Sequence, residues 1–183
     1  MTVALLNLAY FGIEFAVARS IHSVALFADS VDFLEDASVN VLILTAVGWT
    51  AANRAKLGMG LALILLAPGL ATLWTAWGQF THPIIPGAFA LTATGGGALL
   101  VNLSCAFMLA RFRDHGGSLT KAAFLSARND AIANVAIIAS GFVTSLTMNA
   151  WPDLIVGLGI AAINADAARE VWQAARREHR AEA

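Results

Sequence analysis

The stretch SVALFADSVDFLEDAS, residues 23–38, sets four acids (Asp29, Asp32, Glu35 and Asp36) into an otherwise apolar run. Read as a helix, it places Asp32 and Asp36 one turn apart on one face, with Asp29 a turn before them. Glu35 is rotated by about 60° from Asp32. Two like charges on adjacent turns repel each other, and an apolar setting removes the water that would screen them. The arrangement is unfavourable unless a cation or protons fill it. Such a stretch is built to hold a cation or protons, and to exchange one for the other.

The surroundings make the acids more telling. The chain has 183 residues, 58% of them hydrophobic and only 13% charged. Soluble domains are about 45–50% apolar and about 25% charged, so this chain falls outside that class. Its mean hydropathy is +0.72. A lone cysteine, Cys105, excludes a disulfide scaffold, and a net charge of −1 offers no basic footprint for nucleic acid. What remains is an all-α, polytopic integral membrane protein.

Six continuous apolar stretches fit six spanning helices, at about 2–18, 24–52, 57–80, 87–110, 122–150 and 153–174. The expected organisation is one transmembrane domain over 1–175 and a short tail at 176–183, with no room for a further soluble domain. The third and fourth stretches contain no charged residue. Gly95, Gly96 and Gly97 in the fourth are expected to let another backbone come close. The basic residues Arg54 and Lys56, Arg111 and Arg113, Lys121, and Arg176, Arg177 and Arg180 all fall in alternate loops and the tail. The positive-inside rule then puts both termini in the cytoplasm. The expected location is a bacterial inner (plasma) membrane.

Of twelve Asp and Glu, six fall within the first, second and fifth expected spans: Glu14, Asp29, Asp32, Glu35, Asp36 and Asp130. Acids inside a bilayer cost several kcal/mol and mark ion paths or proton relays. Asp130 belongs to SARNDAIAN, residues 126–134, where Ser126, Asp130 and Asn134 recur every four residues. Asp32, Asp36 and Asn40 recur at the same spacing. Asp-x3-Asn therefore appears once in the middle helix of each three-helix half, as internal repeats of secondary transporters would place it. Other roles suit the remaining polar groups. Asp29 is either a further ligand or a helix-terminal group near the headgroups. Glu35 pairs with Arg128; Glu14 pairs with Arg128 instead or serves a proton path. Asn7, Asn102 and Asn164 join helices by hydrogen bonds.

At these residues the chain resembles the cation diffusion facilitator family of divalent metal/proton antiporters. Residues 23–38 are similar to the family's second helix, in which an Ala-Asp pair precedes a His- or Asp-x3-Asp metal pair, falling here on Asp32 and Asp36. Residues 126–134 are similar to its fifth-helix motif, with Asp130 on the second ligand. WPDLIVGLG, residues 151–159, is similar to the Asp-Pro opening of the sixth helix with the two residues reversed. The resemblance implies a six-helix bundle that moves a divalent cation out of the cytoplasm in exchange for protons. It carries no prosthetic group and is not an enzyme; no nucleophile–base pair is visible in the sequence.

The resemblance implies Zn²⁺ as the first cargo, with Mn²⁺, Fe²⁺, Co²⁺ and Cd²⁺ open, and a homodimer. The implied metal site is Asp32, Asp36 and Asp130, with Ser126 at the position where the family has His or Asp. Water or Asn129 would complete the shell. Two departures stand out: Ser126 itself, because a serine hydroxyl is a poor ligand, and the missing cytoplasmic metal-binding domain. The oxygen-only donor set suits hard cations, and Zn²⁺ also accepts carboxylates. Two other readings use the same acids: a metal-binding membrane subunit or sensor that moves nothing, and a proton-coupled exporter of organic cations.

Overall fold

A computed structural model describes residues 1–46, 69–110 and 117–181. Helices, joined by short turns, make up the structure; the described residues contain no strand. The helices are α1 (Thr2–Ile21), α2 (Val24–Ala46), α3 (residues 69–81), α4 (Ala88–Ala110), α5 (Gly117–Thr147) and α6 (Trp151–Ala181). The all-helical plan of six helices is the one expected. The ends expected at 47–52 and 57–68, and the basic residues at 54–56 and 111–113, lie outside the described residues.

The distribution of polarity is the reverse of a water-soluble fold. Phe89, Trp74, Phe107 and Leu146 are more than 70% exposed. Asn7, Glu14, Asp29, Asn102 and Asn134 are buried. Lipid tails reward the first group, and interhelical packing shelters the second. Among the described residues, three helical stretches meet the length and hydropathy needed to cross a membrane by composition alone: Thr2–Ile21, Ala88–Ala110 and Asn129–Thr147. Helix α2 is long enough, at 23 residues, but carries the four acids.

Those acids explain the position of α2. It packs against α1, α6, α5 and α4, more helices than any of those four touches in turn. Its apolar residues Leu26 and Phe27 join Leu91 of α4, Ile137 of α5 and Ile160 of α6 in the main core cluster.

The start of α2 is fixed by α6. Helix α1 ends at His22, whose left-handed backbone (φ 58°, ψ 35°) turns the chain and returns its N–H to the Ala18 carbonyl. The first N–H groups of α2 have no partner within the helix. Asp153, in the first turn of α6, supplies one. Its Oδ2 accepts from the Val24 N–H at 2.7 Å, and its Oδ1 accepts from the Ser23 hydroxyl at 2.6 Å and the Ala25 N–H at 3.3 Å. Ser23 Oγ in turn accepts from the Leu26 N–H at 3.1 Å. One carboxylate thus faces two helix N-termini, where its charge complements both dipoles.

Gly157, one turn further along α6, permits this contact. A Cβ there would stand 2.7 Å from the Ala25 nitrogen and the Val24 carbonyl carbon. The close backbone approach expected at Gly95–Gly97 is thus found elsewhere, at Gly157 against α2 and at Gly141 against the Thr92 nitrogen and Ala88 carbonyl of α4. Gly95 instead receives the Ile137 side chain and Gly97 the Tyr10 ring. Buried Gln79 of α3 closes the same end of the bundle. Its Nε2 donates to the His22 and Ile84 carbonyls at 2.9 and 2.7 Å, and its Oε1 accepts from the Ile84 N–H at 2.8 Å.

Replacing Asp153 by Ala strips charged partners from two buried N–H groups and a hydroxyl. A loss of about 3 kcal/mol or more is expected, since each hydrogen bond to a charged group is worth about 1.5–3 kcal/mol. Asp153→Asn, which keeps one acceptor oxygen, falls between Ala and wild type. Thermal unfolding in detergent measures the order, and equal midpoints for Ala and wild type would refute the capping role.

Candidate metal site

Three helices bring the candidate residues to one place. Asp32, Glu35 and Asp36 of α2, Asn129 and Asp130 of α5, and Ile163 and Asn164 of α6 line a cavity of about 110 Å³. The helical spacing read from residues 29–36 explains why Asp32 and Asp36 share it. Asp32, Asp36 and Asp130 are half-buried, so their carboxyl groups border space rather than packed protein. Among the described residues, no three His, Cys, Asp or Glu side chains close around a single metal-holding point. The carboxylates stand on the cavity walls.

Asp36 is held from behind. Asn7 of α1 donates from Nδ2 to Asp36 Oδ2 at 3.4 Å, and its own Oδ1 accepts from the Cys105 thiol of α4 at 3.5 Å. Asn7 and Cys105 are both fully buried. This is the interhelical role expected for Asn7.

The two Asp-x3-Asn motifs behave alike. Asn40 Nδ2 donates to the Asp36 carbonyl at 2.8 Å, and Asn134 Nδ2 donates to the Asp130 carbonyl at 2.7 Å. Each asparagine ties itself to its own helix one turn back. The correspondence seen in the sequence extends to this local geometry.

Other expectations fare differently. Asp29 does not line the cavity; it is fully buried, with Glu14 of α1 as an acidic neighbour. Ser126 falls on α5, but its side chain lies outside the described residues, as does that of Arg128. Glu35, read as an ion-pair partner for Arg128, borders the cavity. Asn164, read as an interhelical link, borders it too.

Both Glu35 and Asn164 also line a larger cavity of about 320 Å³ between α2, α3 and α6, with Val31, Thr72, Leu73 and Leu158 among its walls. They stand where the two spaces adjoin. The α6 pattern holds the signal that could have found Asn164. Asp153, Gly157, Ile160 and Asn164 recur at intervals of four, three and four, which is one helix face. The first three are buried.

Every polar group on the cavity wall offers oxygen: three carboxylates of aspartate, one of glutamate and two amides. Such a set suits a hard or borderline divalent cation and also binds protons. Asn129 and Asn164 can turn a carbonyl oxygen towards a cation without adding charge.

A comparison with curated proteins gives no match. A family model described as the cation efflux transmembrane domain matches residues 1–177. That span takes in all the described helices up to the last residues of α6, together with every residue of the cavity. The match covers nearly the whole chain, and the chain is a member of the cation efflux (cation diffusion facilitator) family of integral membrane transporters.

Proposed function

We propose that this protein exports a divalent metal ion from the cytoplasm in exchange for protons, with Asp32, Asp36 and Asp130 as the ligands and Zn²⁺ as the first cargo. The observation that supports it most is the single cavity bordered by all three carboxylates from two helices, inside a bundle of a cation efflux family. Ser126 or Asn129 completes the shell, with Asn164 and Glu35 at its margin. Mn²⁺, Fe²⁺, Co²⁺ and Cd²⁺ are the competing cargoes. The volume of about 110 Å³ argues against an organic cation, whose sites commonly run to roughly 300–1,000 Å³.

The proposed cycle follows from charge. In an inward-open state the metal displaces protons from the three carboxylates. The helices rock, the cavity opens outward, and external protons compete for the same oxygens and release the metal. Three carboxylates around a divalent ion leave one net negative charge, which a retained proton or a polar neighbour offsets. The proposed setting is six spans over 1–175 in a bacterial inner membrane, both termini cytoplasmic, and a homodimer in contact through its membrane helices.

Proteoliposome uptake of Zn²⁺ against a pH gradient tests the reading. Asp130→Ala is expected to cut transport by at least the roughly 10–100-fold that even outer-shell losses cost at metal sites. Undiminished transport by this variant would sink the site assignment. Zn²⁺ binding without flux would instead identify a non-transporting metal-binding subunit.

Binding itself is expected to release protons, since carboxylates must shed them to ligate. Calorimetric titration in buffers of different ionisation heats counts them. A heat that is independent of buffer would refute proton exchange at the site.

A further inference from the structure

Glu14 of α1 and Asp29 of α2 form a second acidic site outside the cavity. Both side chains are completely buried, and they are neighbours across the α1–α2 contact. None of their four carboxyl oxygens has a hydrogen-bond donor. Two ionised carboxylates cannot bond to each other, because both only accept. A single proton changes that: the protonated acid donates to one oxygen of its neighbour, and two of the four orphaned oxygens acquire a partner. Buried polar groups left without partners are rare and costly, so four at one point call for a ligand.

The other described groups nearby do not supply it. Tyr10, one turn from Glu14, gives its hydroxyl proton to the Thr94 carbonyl at 2.6 Å. Among the described residues, the remaining ionisable groups that act on the pair are Asp32 and Asp36, which are themselves acids. No described basic side chain faces it.

We propose that Glu14 and Asp29 together hold a proton, and that this site hands protons to the cavity acids from the side of the α1–α2 turn. Position supports the direction. Asp29 lies about 7.5 Å along α2 from its first residue, and Asp32 about 4.5 Å further in, at 1.5 Å per residue. The pair therefore sits between the α1–α2 end of the bundle and the cavity. A proton arriving from that end reaches the pair first. It passes on towards the cavity, and the pair takes up the next. The relay rests on the exchange of a cation for protons proposed above; the shared proton does not.

Infrared spectroscopy in H₂O and D₂O tests the shared proton without transport. A protonated carboxyl band is expected at neutral pH, lost in Glu14→Gln and in Asp29→Asn and kept in Asp32→Asn. It is expected to persist at saturating Zn²⁺, because the pair lies outside the cavity. Absence of such a band from the wild type, or its survival in both single variants, overturns the proposal. Should one variant fail to fold, the other and the wild-type Zn²⁺ series still decide.

Proteoliposomes test the relay. Glu14→Gln is expected to continue zinc–zinc counterflow while losing the acceleration that an imposed proton gradient gives the wild type. A full response to the gradient overturns the relay. A wild type with no Zn²⁺ flux overturns the transport reading instead, and the infrared result then stands alone for the pair.

Discussion

Carboxyl groups cannot face lipid, and that constraint organises the molecule. Four of them lie on α2, within eight residues, in a chain whose exterior is covered by Phe, Leu and Trp. A charge at the middle of a bilayer costs several kcal/mol even on the more lenient scales. The helix that carries them must therefore be enclosed. Helices α1, α4, α5 and α6 all touch α2. The enclosure is uneven, and the unevenness is informative. Asp29 is sealed against α1, whereas Asp32, Glu35 and Asp36 border open space. One helix thus presents a closed acidic site and an accessible one within two turns.

Enclosing α2 would achieve little if it could slide. Its first turn is anchored by Asp153, and its backbone is in contact with Gly157. Gln79 joins the neighbouring turns at the same end. These polar contacts lie together at the end of the bundle where α1 turns into α2. Further along, one side of α2 borders the two cavities. The other side stays packed on α1, where Tyr10 meets Phe33 and Asn7 holds Asp36.

The all-helical plan was legible because apolar runs long enough to span a bilayer leave few alternatives. The pairing of Asp32 with Asp36 followed from helical periodicity, and Asp130 from an acid placed where lipid would reject it. What the sequence could not convey was partnership between helices far apart in the chain. Asp153 reads as an ordinary first-turn acid; only the fold shows that it serves α2 as well as α6. Glu35 and Asn164 were given bland roles because nothing local distinguishes a cavity wall from a buried contact. Glu14 was given two roles, a partner for Arg128 or part of a proton path, and the Arg128 side chain lies outside the described residues. The structure places Glu14 beside Asp29, a neighbour that attraction between charges would never suggest.

Gly157 has a mechanical meaning beyond its fit. At Gly157 helix α6 brings no side chain to the contact, and Val24 and Ala25 of α2 lie directly against its backbone. With Asp153 pinned beside it, this point of α6 can act as a fulcrum. Asn164 lies seven residues along, an arm of about 10 Å, so a tilt of about 10° there carries it about 2 Å. That displacement is on the scale of a metal–oxygen bond, which is about 2.0–2.2 Å for zinc and carboxylate. A small pivot at one end of α6 would therefore reshape the cavity wall by a full coordination distance while the cap at the other helix stayed intact.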